Sequence, residues 1–504
     1  MESRPVVLTI AGSDSSGMAG LSADCRTQLA LGIHHCPVVT ASTAQHNGKV
    51  ISINPVGHGS FVDQLAACRN QPIGAVKIGL LANVEQVEST ASFLADLTVR
   101  VVYDPVLASS GGSSFVDKTL LAAIKEKLLP CVTLLTPNLI EAGQLVDSKV
   151  SNSGSIEAVA KRLQGFGAAQ VLIKGGHGEG AYSNDYFLGD NQDFWLSSLR
   201  VDCLNTRGTG CALSSAIASA LALEYSLPDA IVIGKMAINQ GLRQGYAVDG
   251  QSGPVRVSTF PNQQIDLPYL TGSSDRNLAL QHSPDCGTEA LGLYVIVDRA
   301  NWLQRLQKQG ISSFQLRIKD LAGAELENEI KRAIQLAEQL EVRLFMNDYW
   351  RLAIDFGAYG IHLGQEDLDS ADIEAIKAAG LRLGISTHCH YEVARANSFQ
   401  PSYMACGPVF PTTTKDMPWV PHGVDGLAYW QGVLDYPLVA IGGIGNDSIA
   451  DVAKTGVDGI AMISAITQAE NPERVARQFV DVMKQYAYVE LTGKPETGKT
   501  VEFI

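Results

Sequence analysis

Residues 313–346 read SFQLRIKDLAGAELENEIKRAIQLAEQLEVRLFM. Ser313 to Ile318 is a short apolar run, Glu325 to Leu340 is a helix-capable stretch, and Arg343 to Met346 is a second apolar run. A strand, a helix and a strand within so few residues form the repeating unit of parallel α/β folds. The same alternation extends in both directions. Leu293 to Val297 precedes it, and Gly360 to Leu363, Leu383 to Ser386, Tyr403 to Gly407, Pro437 to Ile441 and Gly459 to Ile463 follow, with Asp369 to Ala379 as a further helix-capable segment. Eight such units predict a (β/α)₈ barrel, whose chemistry gathers where strands end and loops begin.

That rule selects candidate residues. Gln315, Arg317 and Lys319 are spaced by two, hence share one face of a strand, and near its mouth they suit an anion better than a dry core. The next strand ends at Asn347-Asp348, and the fourth leads into His362-Leu363-Gly364-Gln365-Glu366-Asp367. Asp348 and Asp367 come from neighbouring strand ends, and oxygen ligands of this type suit Mg²⁺ shared with substrate phosphates; each is otherwise a helix cap. Ser386 ends the fifth strand, and Thr412-Thr413-Thr414-Lys415 follows the sixth with hydroxyls and a charge for a diphosphate. Gly442-Gly443 and Ile463-Ser464 close the last two strands, a common phosphate-binding arrangement in barrels.

The first half has a different pattern. Val6 to Ala11, Val38 to Ser42, Ala75 to Leu81, Val99 to Asp104, Val132 to Thr136 and Val171 to Gly175 are apolar runs without strict alternation. Such runs suit parallel strands buried on both faces, so an open α/β sheet is expected, with Ala158 to Phe166 as a crossover helix. Within this half no GxxxxGK[ST] loop occurs. Instead Gly208-Thr209-Gly210-Cys211 opens an Ala/Leu/Ser helix, where converging N–H groups and the helix dipole favour a phosphoryl anion. A tight turn before a buried helix is the plain alternative. Cys211 at that helix start is expected either to have a lowered thiol pKa or to be a small core residue. A polar join runs from Asp249 to about Glu289, with a strand-like stretch at Val255 to Phe260 finishing the first domain. The expected domains are residues 1–262 and 290–504, with a linker at 263–289.

Composition bounds the partners. The chain has 504 residues, too many for one core. Its 38 basic and 52 acidic residues give a net charge of −14, which repels polyanions, so nucleic acid is not an expected partner. Nine cysteines without a CxxC pair read as thiols of a reducing compartment, and no apolar run reaches membrane-spanning length. A cytoplasmic protein off the membrane is expected; a homo-oligomer is compatible with the sequence.

Taken together and in order, Ala11-Gly12-Ser13-Asp14-Ser15-Ser16-Gly17-Met18-Ala19-Gly20, Thr43-Ala44-Gln45, Lys77-Ile78-Gly79, Asp104-Pro105-Val106, Thr136-Pro137-Asn138, Lys174-Gly175-Gly176-His177 and the Gly208 turn resemble the hydroxymethylpyrimidine/phosphomethylpyrimidine kinases of the ribokinase-like family. The resemblance implies a three-layer α/β domain that uses ATP as phosphoryl donor. It implies that Gln45 pairs with the pyrimidine edge, with Gly12 and Asp24 shaping the pocket. Glu141 and Lys174 would flank the nucleotide phosphates near Asp104, and Thr209, Gly210, Gly208 and Cys211 would hold the transferring group. Met18, Leu80 and Arg207 depart from the family pattern and bear on substrate preference. Many ribokinase-like enzymes have an aspartate at the Cys211 position, so the general base stays open.

The second half resembles thiamine-phosphate synthases across about residues 290–475, on the Gln315 to Lys319, Phe345 to Asp348, His362 to Asp367, Gly384 to Ser386, Gly407 to Lys415 and Ile441 to Ile444 strings. The resemblance implies that Gln315 and His362 lie near a pyrimidine. It places Arg317, Lys319, Asn347, Ser386, Thr412, Thr414 and Lys415 around a diphosphate, with Lys319 and Lys415 aiding its departure. Asp348 and Asp367 would bind Mg²⁺, and Gly443, Ile463 and Ser464 would take a thiazole phosphate. Two consecutive steps of one pathway on small pyrimidine and thiazole phosphates are therefore expected. The alternatives are a pyridoxal-type vitamin kinase in the first half, or a non-catalytic binding or assembly module in either half.

Overall fold

The computed structural model describes residues 4–46, 49–107, 116–150, 152–176, 178, 180–248, 250–272, 281–412 and 419–487. His177, Thr413, Thr414 and Lys415 lie outside the described residues. The chain divides into two compact units, Met1–Leu278 and Ala279–Ile504.

The first unit is built on one ten-stranded sheet. Its strands are β1 Val6–Asp14, β2 His34–His46, β3 Lys49–Pro55, β4 Ile73–Ile78, β5 Arg100–Tyr103, β6 Leu134–Leu135, β7 Gln170–Ile173, β8 Tyr182–Leu188, β9 Asp193–Leu199 and β10 Tyr269–Thr271. Their spatial order is β10-β9-β8-β7-β6-β5-β4-β1-β2-β3. The six expected runs correspond to β1, β2 and β4 to β7, which pair in parallel. Val7, Leu8, Ile10, Val76 and Ile78 are fully buried, as two covered faces require. The antiparallel strands β3, β8, β9 and β10 at the two edges were not expected. They carry polar residues such as Ser52, Asn54, Ser183 and Asn184, so their apolar signal is diluted.

Two expectations about the join change. Val255 to Phe260 is not a strand: Val255 N–H bonds Arg207 C=O and Arg256 N–H bonds Gly241 C=O, which ties the segment beside the Gly208 turn. The edge strand lies later, at β10, where Arg243 holds Asp266 and Asn239 holds the Asp266 carbonyl. Residues 264–271, placed in the linker from sequence, thus complete the first sheet, while Cys286 is buried in the second core.

The second unit is a closed parallel barrel of β11 Gly292–Val297, β12 Ser313–Leu316, β13 Arg343–Asn347, β14 Gly360–Leu363, β15 Arg382–Thr387, β16 Tyr403–Cys406, β17 Leu438–Ile441 and β18 Gly459–Met462. All eight match the expected segments within about three residues, the usual scatter at element ends. The expected helix at 369–379 is Ile373–Ala378, started by the Asp372 side chain on Ala375 N–H. Tyr294, Phe345 and Tyr403 fill the barrel with edge-on ring contacts of 5.1–5.9 Å. Glycines on adjoining strands make room for them. A Cβ on Gly384 would fall 2.1 Å from the Tyr403 ring, and one on Gly360 would fall 2.7 Å from Phe345. Among the described residues no helix is long and apolar enough to cross a membrane. All nine cysteines are free thiols.

Candidate active sites

In the first unit the ends of the parallel strands bring the predicted residues to one cluster. The loop after β1 is shaped by Asp14, which accepts from Ser16 N–H at 2.9 Å and Ala19 N–H at 3.0 Å. It packs on the Gly208 turn so closely that a Cβ on Gly208, whose φ is 76°, would lie 2.3 Å from the Met18 carbonyl oxygen. Helix Thr209–Ala222 then runs through the core, with Ser214 and Ser219 hydroxyls bonded back to its own carbonyls. This backbone bonding explains why small polar residues are tolerated there. The first-turn N–H groups of Gly210 and Cys211 remain as donors at the open end.

Lys174 donates to Asp104 at 2.5 Å. A Cβ on Gly210 would sit 3.2 Å from the Lys174 amine and 3.3 Å from Asp104 Oδ2, so the glycine turn lies directly over this ion pair. Glu141 is the N3 residue of a capping box, accepting from Asn138 N–H at 2.8 Å while the Asn138 side chain caps its own N–H. The cap reading therefore holds for this residue. Burial, offset by Lys174 and reinforced by the Asp104 charge, pushes the Glu141 carboxyl up to about 7. Between the ordinary carboxylate range and about pH 7 the unfolded chain has released a proton that the folded chain keeps, so stability falls as pH rises through that window. Glu141→Gln, which can still close the capping box, is expected to abolish that fall in denaturant titrations of the full chain between pH 4.5 and 7. An unchanged slope refutes the assignment.

Asp24, expected to help shape the pyrimidine pocket, is fully buried, holding Lys77 Nζ at 2.8 and 2.9 Å and the Ser215 hydroxyl at 2.8 Å. Both side chains of that ion pair have zero exposure. Removing one partner leaves a buried uncompensated charge at a cost of about 3–5 kcal/mol, so the pair is a fixed support. Of the two readings left open for Cys211, the lowered pKa does not hold: burial, against the pull of Lys77, pushes its thiol up to about 11. The helix start alone does not overcome desolvation. Gly12 is buried against Leu80, and Gln45 is half-buried on β2, with its amide donating to Thr43 Oγ1 at 2.8 Å. Thr209 Oγ1 donates to the Thr206 carbonyl at 2.6 Å. Sequence reading missed the buried Lys235–Asp185 pair, whose carboxylate also accepts the Gly175 N–H at 2.8 Å and so fixes the turn after β7.

In the second unit the strand ends converge at the barrel mouth. Asp348 has φ 66°, a left-handed conformation that is uncommon outside glycine and typical of functional turns. It accepts from Lys319 Nζ at 2.6 Å. Asp367 accepts from Gly364 N–H at 3.0 Å. Burial and the adjacent Asp348 charge raise its carboxyl above the ordinary range, only partly offset by Lys319. Two carboxylates crowded in this way, one of them destabilised as an anion, fit a divalent cation that takes its remaining oxygens from a substrate. Among the described residues no group of three or more His, Cys, Asp or Glu is gathered.

β12 ends at Leu316, so Arg317 and Lys319 sit just beyond the strand rather than on it, while Gln315 faces the barrel interior at 3% exposure. Arg317 shares a cleft of about 370 Å³ with Ile463, Thr467, Asp298 and Trp302. The latter two were missed from sequence. Asn347 is buried at the end of β13 beside Asp348. Burial lowers the His362 imidazole to about 4 and so holds it neutral. The ring bridges Tyr403 Oη at 2.7 Å and Ser386 Oγ at 2.8 Å. Thr412 is half-buried, and Ser464 starts the short helix Ser464–Thr467. Gly443, with φ 68°, is exposed, and a Cβ there would lie 2.6 Å from the Pro411 carbonyl. Its glycine is therefore required by the approach of the loop after β16.

A family model described as phosphomethylpyrimidine kinase matches residues 14–256, and one described as thiamine monophosphate synthase matches residues 293–466. The chain is similar to the thiamine-phosphate synthase of Photorhabdus laumondii, with 52% identity over 203 residues that span 40% of this chain and 94% of that protein. Among solved structures it is similar to a phosphomethylpyrimidine kinase from Clostridium difficile, at 32% identity over 47% of this chain and 98% of that one, with a TM-score of 0.42. It is also similar to a pyridoxal kinase from Staphylococcus aureus, at 26% identity over 54% and 98%, with a TM-score of 0.49.

Proposed function

Because the chain belongs to the thiamine-phosphate synthase family through its second domain and carries a phosphomethylpyrimidine kinase domain in its first, we propose that one domain makes the electrophile the other consumes. The chain is a bifunctional enzyme of thiamine biosynthesis. The first domain phosphorylates 4-amino-5-hydroxymethyl-2-methylpyrimidine with ATP, and then its monophosphate, giving the diphosphate. In each transfer a substrate oxygen attacks the γ-phosphorus while the bond to ADP breaks. Gln45 and Gly12 border the pyrimidine. The N–H groups of the Gly208 to Cys211 turn face the phosphoryl oxygens as charge develops, with Thr209, Lys174 and Glu141 around them. Cys211 contributes its backbone and position, since a thiol held near 11 is protonated at neutral pH and makes a poor base.

The second domain couples the diphosphate with 4-methyl-5-(2-phosphoethyl)thiazole. The bond from the pyrimidine methylene to diphosphate oxygen breaks, its electron pair leaves with the diphosphate, and the thiazole nitrogen forms the new C–N bond. Asp348 and Asp367 hold Mg²⁺, which supplies neutralising charge to the leaving group. Lys319, Arg317, Asn347, Ser386 and Thr412 surround that diphosphate, a role that Thr414 and Lys415 share only on the sequence resemblance, Gln315 and His362 face the pyrimidine, and Gly443, Ile463 and Ser464 receive the thiazole phosphate. No protein nucleophile is required.

The observation that carries this reading is the crowded Asp348–Asp367 pair under Lys319 at the barrel mouth. A one-pot reaction of the full chain with the pyrimidine alcohol, ATP, Mg²⁺ and thiazole phosphate is expected to yield thiamine phosphate and diphosphate. Absence of product when pyrimidine diphosphate is supplied directly overturns the barrel's role; absence only from the alcohol overturns the kinase's.

A further inference from the structure

Tyr294 and Tyr403 lie inside the barrel, each at most 1% exposed, and neither was singled out by its sequence. Their hydroxyls are 2.8 Å apart. At one end Gln315 Nε2 approaches Tyr294 Oη at 3.4 Å, and at the other Tyr403 Oη meets His362 Nδ1 at 2.7 Å, with His362 Nε2 2.8 Å from Ser386 Oγ. The result is an unbroken hydrogen-bonded chain from Gln315 to Ser386. We propose that Tyr294 and Tyr403 are positioning residues of the coupling reaction, fixing the His362 proton on Nε2 so that the Ser386 hydroxyl is aimed outward as a donor to the departing diphosphate. The inference rests on the reading that places Ser386 at the diphosphate and Gln315 at the pyrimidine.

The number of protons in the chain fixes its direction. Each hydroxyl carries one proton, and burial keeps both phenols un-ionised and the imidazole neutral. The whole chain must therefore point one way. If Gln315 donates, Tyr294 donates to Tyr403, Tyr403 donates to Nδ1, Nε2–H donates to Ser386, and the serine proton is left for the substrate. If the order reverses, Ser386 spends its proton on His362 and presents only lone pairs outward. Phosphate oxygens are acceptors, so the anion selects the first order. The pyrimidine end selects the same order, because Gln315 with its amine on Tyr294 has its carbonyl free for the ring's exocyclic amino group.

One arrangement thus serves both halves of the substrate. As negative charge grows on the leaving group, every O–H and N–H dipole of the chain already points toward it, and linked hydrogen bonds polarise one another. Only hydroxyls at these two positions can transmit the order. Phenylalanine would keep the ring packing against Phe345 and remove the link.

The test is ¹⁵N NMR of the full chain labelled at histidine, free and with inorganic diphosphate and Mg²⁺, with His362 assigned by its loss in His362→Gln. The wild type is expected to show the Nε2–H tautomer, and Tyr403→Phe a mixture with Nδ1–H. In Tyr403→Phe the coupling kcat is expected to fall about tenfold, the scale of a partner acting through another residue, with the KM for thiazole phosphate and the kinase rate unchanged. The double variant Tyr403→Phe/Ser386→Ala is expected to be no slower than the slower single variant. An Nδ1–H tautomer in the wild type, an unshifted tautomer in Tyr403→Phe, or additive losses overturn the inference. Should Tyr403→Phe not fold, Tyr294→Phe gives the same tautomer readout one link further back, and the wild-type spectrum needs neither tyrosine variant. Wild-type coupling in Ser386→Ala instead overturns the underlying placement of Ser386.

Discussion

Asp348→Asn is expected to slow thiamine phosphate formation from supplied pyrimidine diphosphate by roughly 10²–10³, the rate equivalent of several kcal/mol of lost charge stabilisation. Asparagine is the informative replacement because it tolerates the left-handed backbone that Asp348 adopts at φ 66°. Alanine there would add strain and blur loss of charge with loss of fold. The substitution leaves Asp367 as a single carboxylate and frees Lys319 from its 2.6 Å contact. Asp367, relieved of a neighbouring charge, should return toward the ordinary carboxylate range, since that charge is the second cause of its shift after burial. The kinase rate measured in the same preparation is expected to stay at the wild-type value. Coupling that persists at the wild-type rate under limiting Mg²⁺ would show that the cation is held elsewhere.

Gly210→Ala is expected to produce the complementary loss, lowering phosphoryl transfer from ATP by at least about 10², the usual effect of losing a donor at a developing oxyanion. The added Cβ would press on the Lys174 amine at 3.2 Å and on Asp104 at 3.3 Å. The amine is the far end of a flexible side chain and can give way, but it then leaves the position facing the phosphates. Stability is expected to change little, because alanine gains roughly 0.5–1 kcal/mol of helix propensity over glycine against that displacement. Gly208 makes the contrast. Its positive φ and a 2.3 Å approach to the Met18 backbone mean that any side chain there must disturb the loop itself. Coupling from supplied diphosphate should be normal in Gly210→Ala, and ATP turnover at the wild-type rate would remove the turn from the kinase site.

The barrel was legible because each of its strands is a short apolar run at regular spacing, and register in a closed parallel sheet leaves little freedom once eight such runs exist. Asp348 follows its strand directly and Asp367 lies four residues beyond the next one, so both positions at strand ends could be read from the same pattern. The edge strands of the first sheet were not, since β3, β8 and β9 mix polar with apolar residues and so break up the apolar run. Val255 to Phe260 misled because its buried valines are anchored by hydrogen bonds to the Gly208 turn and helix end instead of to a ladder. Cys211 misled because a helix N-terminus lowers a thiol only where water or a cation offsets the loss of solvation, and here burial is the larger effect.

By itself the sequence determined the two folds, the two chemistries and the residues at the strand ends, because strand spacing and loop composition are local properties of the chain. Only the tertiary structure decided how those residues act on one another. The Asp24–Lys77 pair joins positions 53 residues apart, and the hydroxyl chain beneath the barrel mouth joins Tyr294 to a partner 109 residues away. Whether a carboxylate lines a pocket or lies sealed under it, and which way a histidine carries its proton, depends on burial and on partners brought together by folding. Those are sums over neighbours distant in sequence, which periodicity does not encode.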